Sequence, residues 1–134
     1  MNAPGVKTTS FPLEVLLFRV GSGHFGVPAT QVASTTVYRP GDGDDEPLWF
    51  HLKAGCRPGP ATEVSVVADL RDGDGGFQRM VIGAMEDIVA VAVEDVRPMP
   101  AVVERYARRL GMWGVLPREG RIYILVDLNC LARQ

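Results

Sequence analysis

The sequence predicts an all-β fold with one or two short helices, arranged as two similar β units around a shared core. Short runs of β-branched and aromatic residues recur along the chain, separated by clusters of Gly, Pro and Asp. One segment has helical periodicity, and apolar runs of the first half recur at fixed offsets in the second. With 134 residues, 46% of them hydrophobic, the chain is long enough for one domain with its own core.

The predicted strands follow the runs of β-branched and aromatic residues. They are residues 13–20, 24–27, 34–38, 64–70, 79–85, 88–93 and 121–128, with 48–52 as a further short candidate. A turn at 21–23 joins the first two strands in a hairpin, and Glu86 and Asp87 are predicted to form a turn between the two strands around them. Residues 28–33, which begin with Pro28, fit one helical turn.

The predicted helix covers residues 101–110. Its apolar positions, which repeat as one face of a 3.6-residue period, are Val102, Val103, Tyr106, Ala107 and Leu110. Pro100 stands at its start, and Gly111 follows as its C-terminal cap. We expect this helix to cover the β core rather than to contact a partner.

A weak internal repeat relates the two halves of the chain. At an offset of 64 positions, Phe18, Phe25, Val27 and Val32 match Ile82, Val89, Val91 and Val96. At an offset of 58, Val64, Val67, Asp69 and Leu70 match Ile122, Leu125, Asp127 and Leu128. Each half then consists of a hairpin, a bend, a variable segment and an apolar strand ending in Asp-Leu, which predicts two β units around one core.

Charge and the absence of targeting signals exclude several classes of function. The 14 Lys and Arg residues against 16 Asp and Glu residues argue against nucleic acid as the main partner, because backbone binders need a basic excess. No apolar segment approaches the ~20 residues that span a bilayer, and the N-terminus lacks a secretory signal. We therefore expect a cytoplasmic protein, with residues 1–10 as a disordered tail, residues 11–134 as a single domain, and residues 42–46 and 71–76 as surface loops.

The sequence contains no motif of a known catalytic site. It has no nucleophile elbow, phosphate-binding loop or zinc-protease motif. Cys56, Cys130, His24 and His51 follow no metal-ligand spacing. We therefore expect a protein without enzymatic activity, metal or cofactor.

Asp69 and Asp127 are the carboxylates that could meet across the internal repeat. If they do, a small-molecule-binding or hydrolytic β-barrel is an alternative function. The simpler interpretation is that each carboxylate accepts hydrogen bonds from backbone N–H groups after its strand. The two interpretations differ in where the structure places these side chains.

Four segments resemble, in order, the CheW-like domain family, the coupling adaptors of bacterial chemosensory arrays. Residues 16–32 are similar to its opening hairpin and bend, 66–71 to its mid-chain strand, 88–96 to a later strand and 120–128 to its closing strand. The resemblance covers nearly the whole chain. It implies two small SH3-like β-barrel subdomains around a common core and a non-enzymatic adaptor that docks a CheA-type histidine kinase and a methyl-accepting chemoreceptor.

The chain departs from this family at its functional landmark. The family's Asn-Leu-Arg-Gly falls here on residues 59–62, which are Gly-Pro-Ala-Thr, and the family's acidic residue two positions after Val32 is Ser34. Part of the family's contact surface therefore carries different residues in this chain. One hypothesis is an adaptor between receptor and kinase, and another is an accessory or decoy protein with an altered partner set.

The resemblance also implies where partners dock. The candidate partner-binding residues are Val32, Ser34, Thr36 and Val37, where the family's groove begins, and Arg39 and Arg71 as polar rim contacts. We expect apolar residues of an edge strand to bind a helix or strand of the partner. The oligomeric state stays open, since an uncovered edge can pair with itself.

Overall fold

The computed structural model describes residues 12–41, 47–60, 62–71 and 77–134, with only the backbone of Phe77. The predicted N-terminal tail, the acidic loop at 42–46 and most of the predicted loop at 71–76 lie outside the described residues. Within those ranges, no helix is long and apolar enough to span a membrane.

Strands dominate the described part of the chain and form one mixed sheet of eight strands. They are β1 (Leu13–Val20), β2 (Gly23–Pro28), β3 (Val32–Val37), β4 (Leu48–Trp49), β5 (Val66–Arg71), β6 (Phe77–Val91), β7 (Met112–Arg118) and β8 (Arg121–Val126). Their order is β3-β5-β6-β1-β2-β8-β7, and β4 pairs with β6 outside this path. The β2–β8 and β4–β6 pairs are parallel and the others antiparallel. The predicted mostly-β fold is confirmed.

Short helical segments connect the strands. They are the 3₁₀ turns Ala29–Gln31 and Val93–Asp95 and the helices α1 (Phe50–Ala54), α2 (Ala101–Arg109) and α3 (Leu128–Ala132). The two 3₁₀ turns lie 64 positions apart, the offset of the first set of repeat matches. The bend after the first hairpin thus has a counterpart in the second half, as the repeat predicts.

Two hydrophobic clusters lie on the two faces of β1. The first core consists of Leu16, Phe18, Val20, Phe25, Val27, Phe50, Ala54, Val66, Ala68, Leu70, Met80, Ile82, Val126, Leu128, Leu131 and Ala132. The second core consists of Val15, Leu17, Val89, Val91, Leu116, Tyr123 and Leu125. Successive side chains of a strand point to opposite faces, so β1 contributes alternately to both cores. The two units therefore share a central strand.

The turn predicted at Glu86 and Asp87 is wrong, because β6 runs through these residues without reversing. Its first part pairs with β5 and its second part with β1. The register with β1 shifts where Asp87 pairs with Leu17 and Met85 with Phe18, which leaves Glu86 as a bulge. The charged pair therefore marks an irregularity within one long strand.

β6 changes partners near Gly83, where only glycine fits. Gly83 has a φ of 137°, and a Cβ there would lie 2.4 Å from the carbonyl oxygen of Arg19. The backbone of β6 thus passes directly against β1 at this point. A side chain would force the two strands apart.

Three further expectations from the sequence need correction. Of the candidate strand at 48–52, only the first two residues are a strand, and α1 begins at Phe50. The chain after β8 is a helix, α3, rather than a short tail. In addition, Met112–Arg118 forms a strand for which the sequence analysis has no prediction. The last predicted strand ends at Val126 because Asp127 begins α3.

The predicted helix is present as α2, and Gly111 follows it with a positive φ of 73°. Its predicted role as a cover for the core holds only for part of its apolar face. Ala107 is buried and Leu110 packs against the first core, whereas Val102 is 91% exposed and Tyr106 66% exposed. The helix packs beside β7 and leaves part of its apolar face exposed.

Candidate functional site

β3 lies at one end of the sheet and pairs only with β5 in the part of the chain that the structure describes. The ladder continues past the strand, because the Tyr38 N–H donates to the Ser65 carbonyl at 2.8 Å. Backbone groups of alternate residues in a strand point to opposite sides. The backbone groups of Thr35 and Val37 therefore point away from β5, to the open side.

The predicted site residues on β3 have different surroundings. Val32 is half-buried against the first core, so part of its role is packing. Ser34 is exposed, and its hydroxyl donates to Asp69 Oδ2 at 2.7 Å across the strand pair. Thr36 is exposed, and Val37 is 52% exposed. The strand thus presents a surface of short hydroxyl and apolar side chains.

A cavity of about 460 Å³ adjoins the end of β3. Val37, Tyr38 and Trp49 line it, together with residues 58–60, residues 62–65 and the bend of β6 at Gly83. The rings of Tyr38 and Trp49 meet edge to face with centroids 5.1 Å apart. Apolar, aromatic lining of this kind is typical of binding grooves.

Residues 58–60 and 62–65, which include three of the four positions where the family motif is lost, lie against β1 and the β1–β2 turn. Arg19 Nε donates to Glu63 Oε2 at 3.1 Å, and Arg19 Nη2 donates to the same oxygen. This hydrogen bond and the charge of Glu63 raise the pKa of Arg19. At Gly21, whose φ is 61°, a Cβ would lie 2.8 Å from the Arg57 carbonyl oxygen and 3.4 Å from that of Pro58, so the turn lies against the start of this segment.

Arg39 and Arg71 lie near opposite ends of β3. Arg39 follows the strand, whereas Arg71 comes directly after Leu70, which pairs with Val32 at the start of β3. Both side chains are exposed, and neither makes an ion pair within the described residues. Five of the six predicted site residues thus lie on β3 or just after it, and Arg71 lies at the end of the neighbouring strand β5.

Asp69 and Asp127, the possible carboxylate pair, belong to separate networks. Asp69 lies within β5, bonds Ser34 and has Oδ1 3.8 Å from Arg79 Nε. Asp127 caps α3 by accepting from the Cys130 N–H at 3.1 Å, as the simpler interpretation predicted for it. No hydrogen bond or ion pair joins the two among the described residues, so nothing in this arrangement supports a catalytic dyad.

Gln31 connects Asp127 to the first half of the chain. Its Nε2 donates to Asp127 Oδ1 at 2.9 Å, and its Oε1 accepts from the Leu128 N–H at 2.8 Å. Gln31 lies in the 3₁₀ turn directly before β3, so this bridge connects the start of the candidate edge to α3. No local pattern in the sequence indicates this contact between distant segments.

A second polar cluster, centred on the bulge residue Glu86, was missed by sequence reasoning. The Tyr123 hydroxyl donates to Glu86 Oε1 at 2.8 Å, and Glu86 Oε2 lies 3.5 to 3.8 Å from side-chain nitrogens of Arg19, His24 and Arg121. Burial, and then the hydrogen bond with Glu86, raises the pKa of Tyr123. The only sign of this cluster in the sequence is a glutamate between two apolar strand patterns, and that position predicts a turn.

The aromatic lining of the cavity was also missed. Trp49 lies on β4, which reaches the groove only because it pairs in parallel with β6. Both cysteines are free, and in the described ranges no three His, Cys, Asp or Glu side chains group so as to hold a metal ion. The arrangement consists of an open sheet edge and an adjoining groove.

Comparisons with known proteins add evidence on the fold. No protein-family model matches the chain, and no curated protein matches it. The chain is similar to the crystal structure of the scaffolding protein TtCheW from Thermoanaerobacter tengcongensis, with a TM-score of 0.67 and 11% sequence identity, over 90% of this chain and 92% of that chain. At this identity the similarity shows a shared CheW-like fold, in agreement with the resemblance of the sequence.

Proposed function

We propose that the chain is a non-enzymatic adaptor of a bacterial chemosensory system. It docks the regulatory domain of a CheA-type histidine kinase, the cytoplasmic tip of a chemoreceptor, or both, and it acts in the cytoplasm without a cofactor. The observation that carries the proposal is the fold shared with the scaffolding protein TtCheW over nine tenths of the chain.

The proposed docking site is the edge formed by β3 with the adjoining groove. Val37 contributes an exposed apolar side chain at the border of the groove. Arg39 and Arg71 supply guanidinium groups near the two ends, and arginine is enriched at protein interfaces. Docking at this site needs no covalent chemistry, which fits an adaptor.

An altered partner set is the alternative within the same class. The segment at the family's Asn-Leu-Arg-Gly position is Gly-Pro-Ala-Thr here, and the nearby Glu63 pairs with Arg19 on β1. A protein with this replaced segment would bind one of the two partners and act as an accessory or decoy subunit. Binding to the kinase domain or to the receptor tip alone distinguishes this alternative from the full adaptor.

Calorimetry with a kinase regulatory domain from the same genome tests the proposal. We expect binding in the micromolar range or tighter, and we expect Val37→Asp to abolish it, because a charge on the docking edge must be desolvated. The matched control is Val102→Asp, which places the same charge on the exposed face of α2. Failure of the folded wild-type protein to bind either the kinase domain or a receptor tip would contradict the adaptor function.

A further inference from the structure

The two end strands of the sheet differ in how their outer edges are closed. On β7, the Arg97 N–H donates to the Val115 carbonyl and the Val115 N–H donates to the Arg97 carbonyl, both at 2.8 Å. Two residues further, at the next outward position, Pro117 has no N–H. The outer edge of β7 is therefore closed to a further strand.

The outer edge of β3 has no equivalent protection among the described residues. Its six residues include neither a charge nor a proline, and four of them are β-branched. The N–H and carbonyl groups of Thr35 and Val37 point outward, as the hydrogen bond of Tyr38 to Ser65 fixes the alternation. Proteins usually block exposed edges with Lys, Pro or bulges. The register irregularity of β3 lies at its start, between Val32 and Ser34, and the pairing is regular from Ser34 to Val37. This edge is suited to the addition of a strand.

The charges around β3 indicate what kind of strand it would accept. Arg71 lies beside the start of the strand and Arg39 beyond its end. The two guanidinium groups thus flank an uncharged stretch that is about 20 Å long at the usual rise per residue. A segment with acidic residues at both ends would satisfy both arginines at once.

We infer that β3 pairs through its backbone with an extended segment of the partner. The segment is uncharged along the length of β3 and acidic at both ends. Backbone hydrogen bonds supply the affinity, and the arginines select the register and the partner. This inference deepens the proposed adaptor function and rests on it for the identity of the partner.

The test uses a synthetic peptide of alternating Thr and Val with glutamates at both ends, titrated into the isotope-labelled full chain. We expect the amide resonances of Thr35 and Val37 to shift most. Thr35→Pro should weaken binding about tenfold, because it removes one outward N–H as Pro117 does on β7. The matched control Thr35→Val keeps this N–H and should bind as the wild type does.

A second variant addresses the charges and does not depend on a proline in the strand. Arg39→Glu combined with Arg71→Glu should weaken binding of the glutamate-ended peptide and strengthen binding of the same peptide with lysine ends. If Thr35→Pro fails to fold, this double variant of two exposed residues decides the question. Equal binding of both peptides to the wild type and to the double variant would overturn the inference.

Three further results distinguish a failure of strand addition from a failure of the adaptor function. Kinase-domain binding that is lost in Val37→Asp but unchanged in Thr35→Pro keeps the adaptor function and refutes strand addition. Peptide binding at β3 without binding of a kinase domain or receptor tip refutes only the adaptor function. Self-association of the wild type that Thr35→Pro abolishes, measured by sedimentation, would assign the edge to a second copy and overturn the inferred partner.

Discussion

The two hydrophobic cores on the two faces of β1 differ in size. In the first core, the rings of Phe18, Phe25 and Phe50 contact one another with centroids 4.9 to 5.8 Å apart. The second core is smaller and contains one ring, that of Tyr123, whose hydroxyl bonds the bulge residue Glu86. The first core is a large apolar cluster, whereas the second includes a ring that also makes a polar contact.

This difference parallels the difference between the two sheet edges. The open edge, β3, packs against the larger core through Val32, and the neighbouring strand β5 does so through Leu70. The closed edge, β7, contributes Leu116 to the smaller core. A binding surface on a rigid support loses less conformational entropy on docking. In the described part of the chain, the open edge of the sheet thus lies beside the larger of the two cores.

The largest expected effect comes from Phe50, the fully buried ring contributed by α1. Phe50→Ala should lower the free energy of unfolding by about 3–5 kcal/mol, through lost apolar burial and the cavity left behind. Urea denaturation measures this loss. Leu52→Ala, on the same helix but 70% exposed, is the control and should change stability by less than about 0.5 kcal/mol. Equal effects would contradict the assignment of the first core.

The next largest expected effect is a difference in stability loss between Asp127→Ala and Asp69→Ala, whose positions are equivalent in the internal repeat. Asp127→Ala should cost about 1–2 kcal/mol of unfolding free energy, because it removes the cap of α3 and the bond to Gln31. Asp69→Ala should cost less than about 1 kcal/mol, because its contacts to Ser34 and Arg79 are exposed. Thermal and urea denaturation measure both. A larger loss for Asp69→Ala would reverse this comparison.

The smallest expected effect is alkaline destabilisation through Tyr123 in the second core. Its folded pKa is raised above the ordinary value of 10.0, mainly by burial. The stabilisation is therefore complete below pH 10 and is lost as the pH rises through the folded pKa. Stability measured across this range should fall less steeply in Tyr123→Phe than in the wild type. Tyr106→Phe, which changes an exposed tyrosine, should leave the wild-type slope unchanged.

Local patterns in the sequence were sufficient for much of the fold. The first hairpin and α2 were predicted within one or two residues of their bounds, because their alternation, turn residues and caps are local signals. The strand and helix in 48–54 were not distinguished, since a short apolar run fits either. Aspartate is a typical N-cap residue. The predicted last strand nevertheless includes Asp127, so the start of α3 was not predicted.

The parts that failed depend on contacts between distant segments. Glu86 resembles a turn residue until β1 pairs beside it and Tyr123 reaches it from β8. Val37 and Arg39 were proposed from the family resemblance, which implies a groove beginning at these residues. Trp49 joins Tyr38 only through the pairing of β4 with β6. Sequence reasoning therefore missed the aromatic lining of the cavity.

The most direct test of the adaptor function and its site is an amide chemical-shift map of the labelled chain with the kinase regulatory domain bound. The proposed site predicts the largest changes on β3, at Thr35 and Val37, and on the groove residues Tyr38 and Trp49. It predicts little change on β7, whose outer edge is closed by Arg97. Changes confined to β7 and α2, with β3 unaffected, would contradict the proposed docking edge.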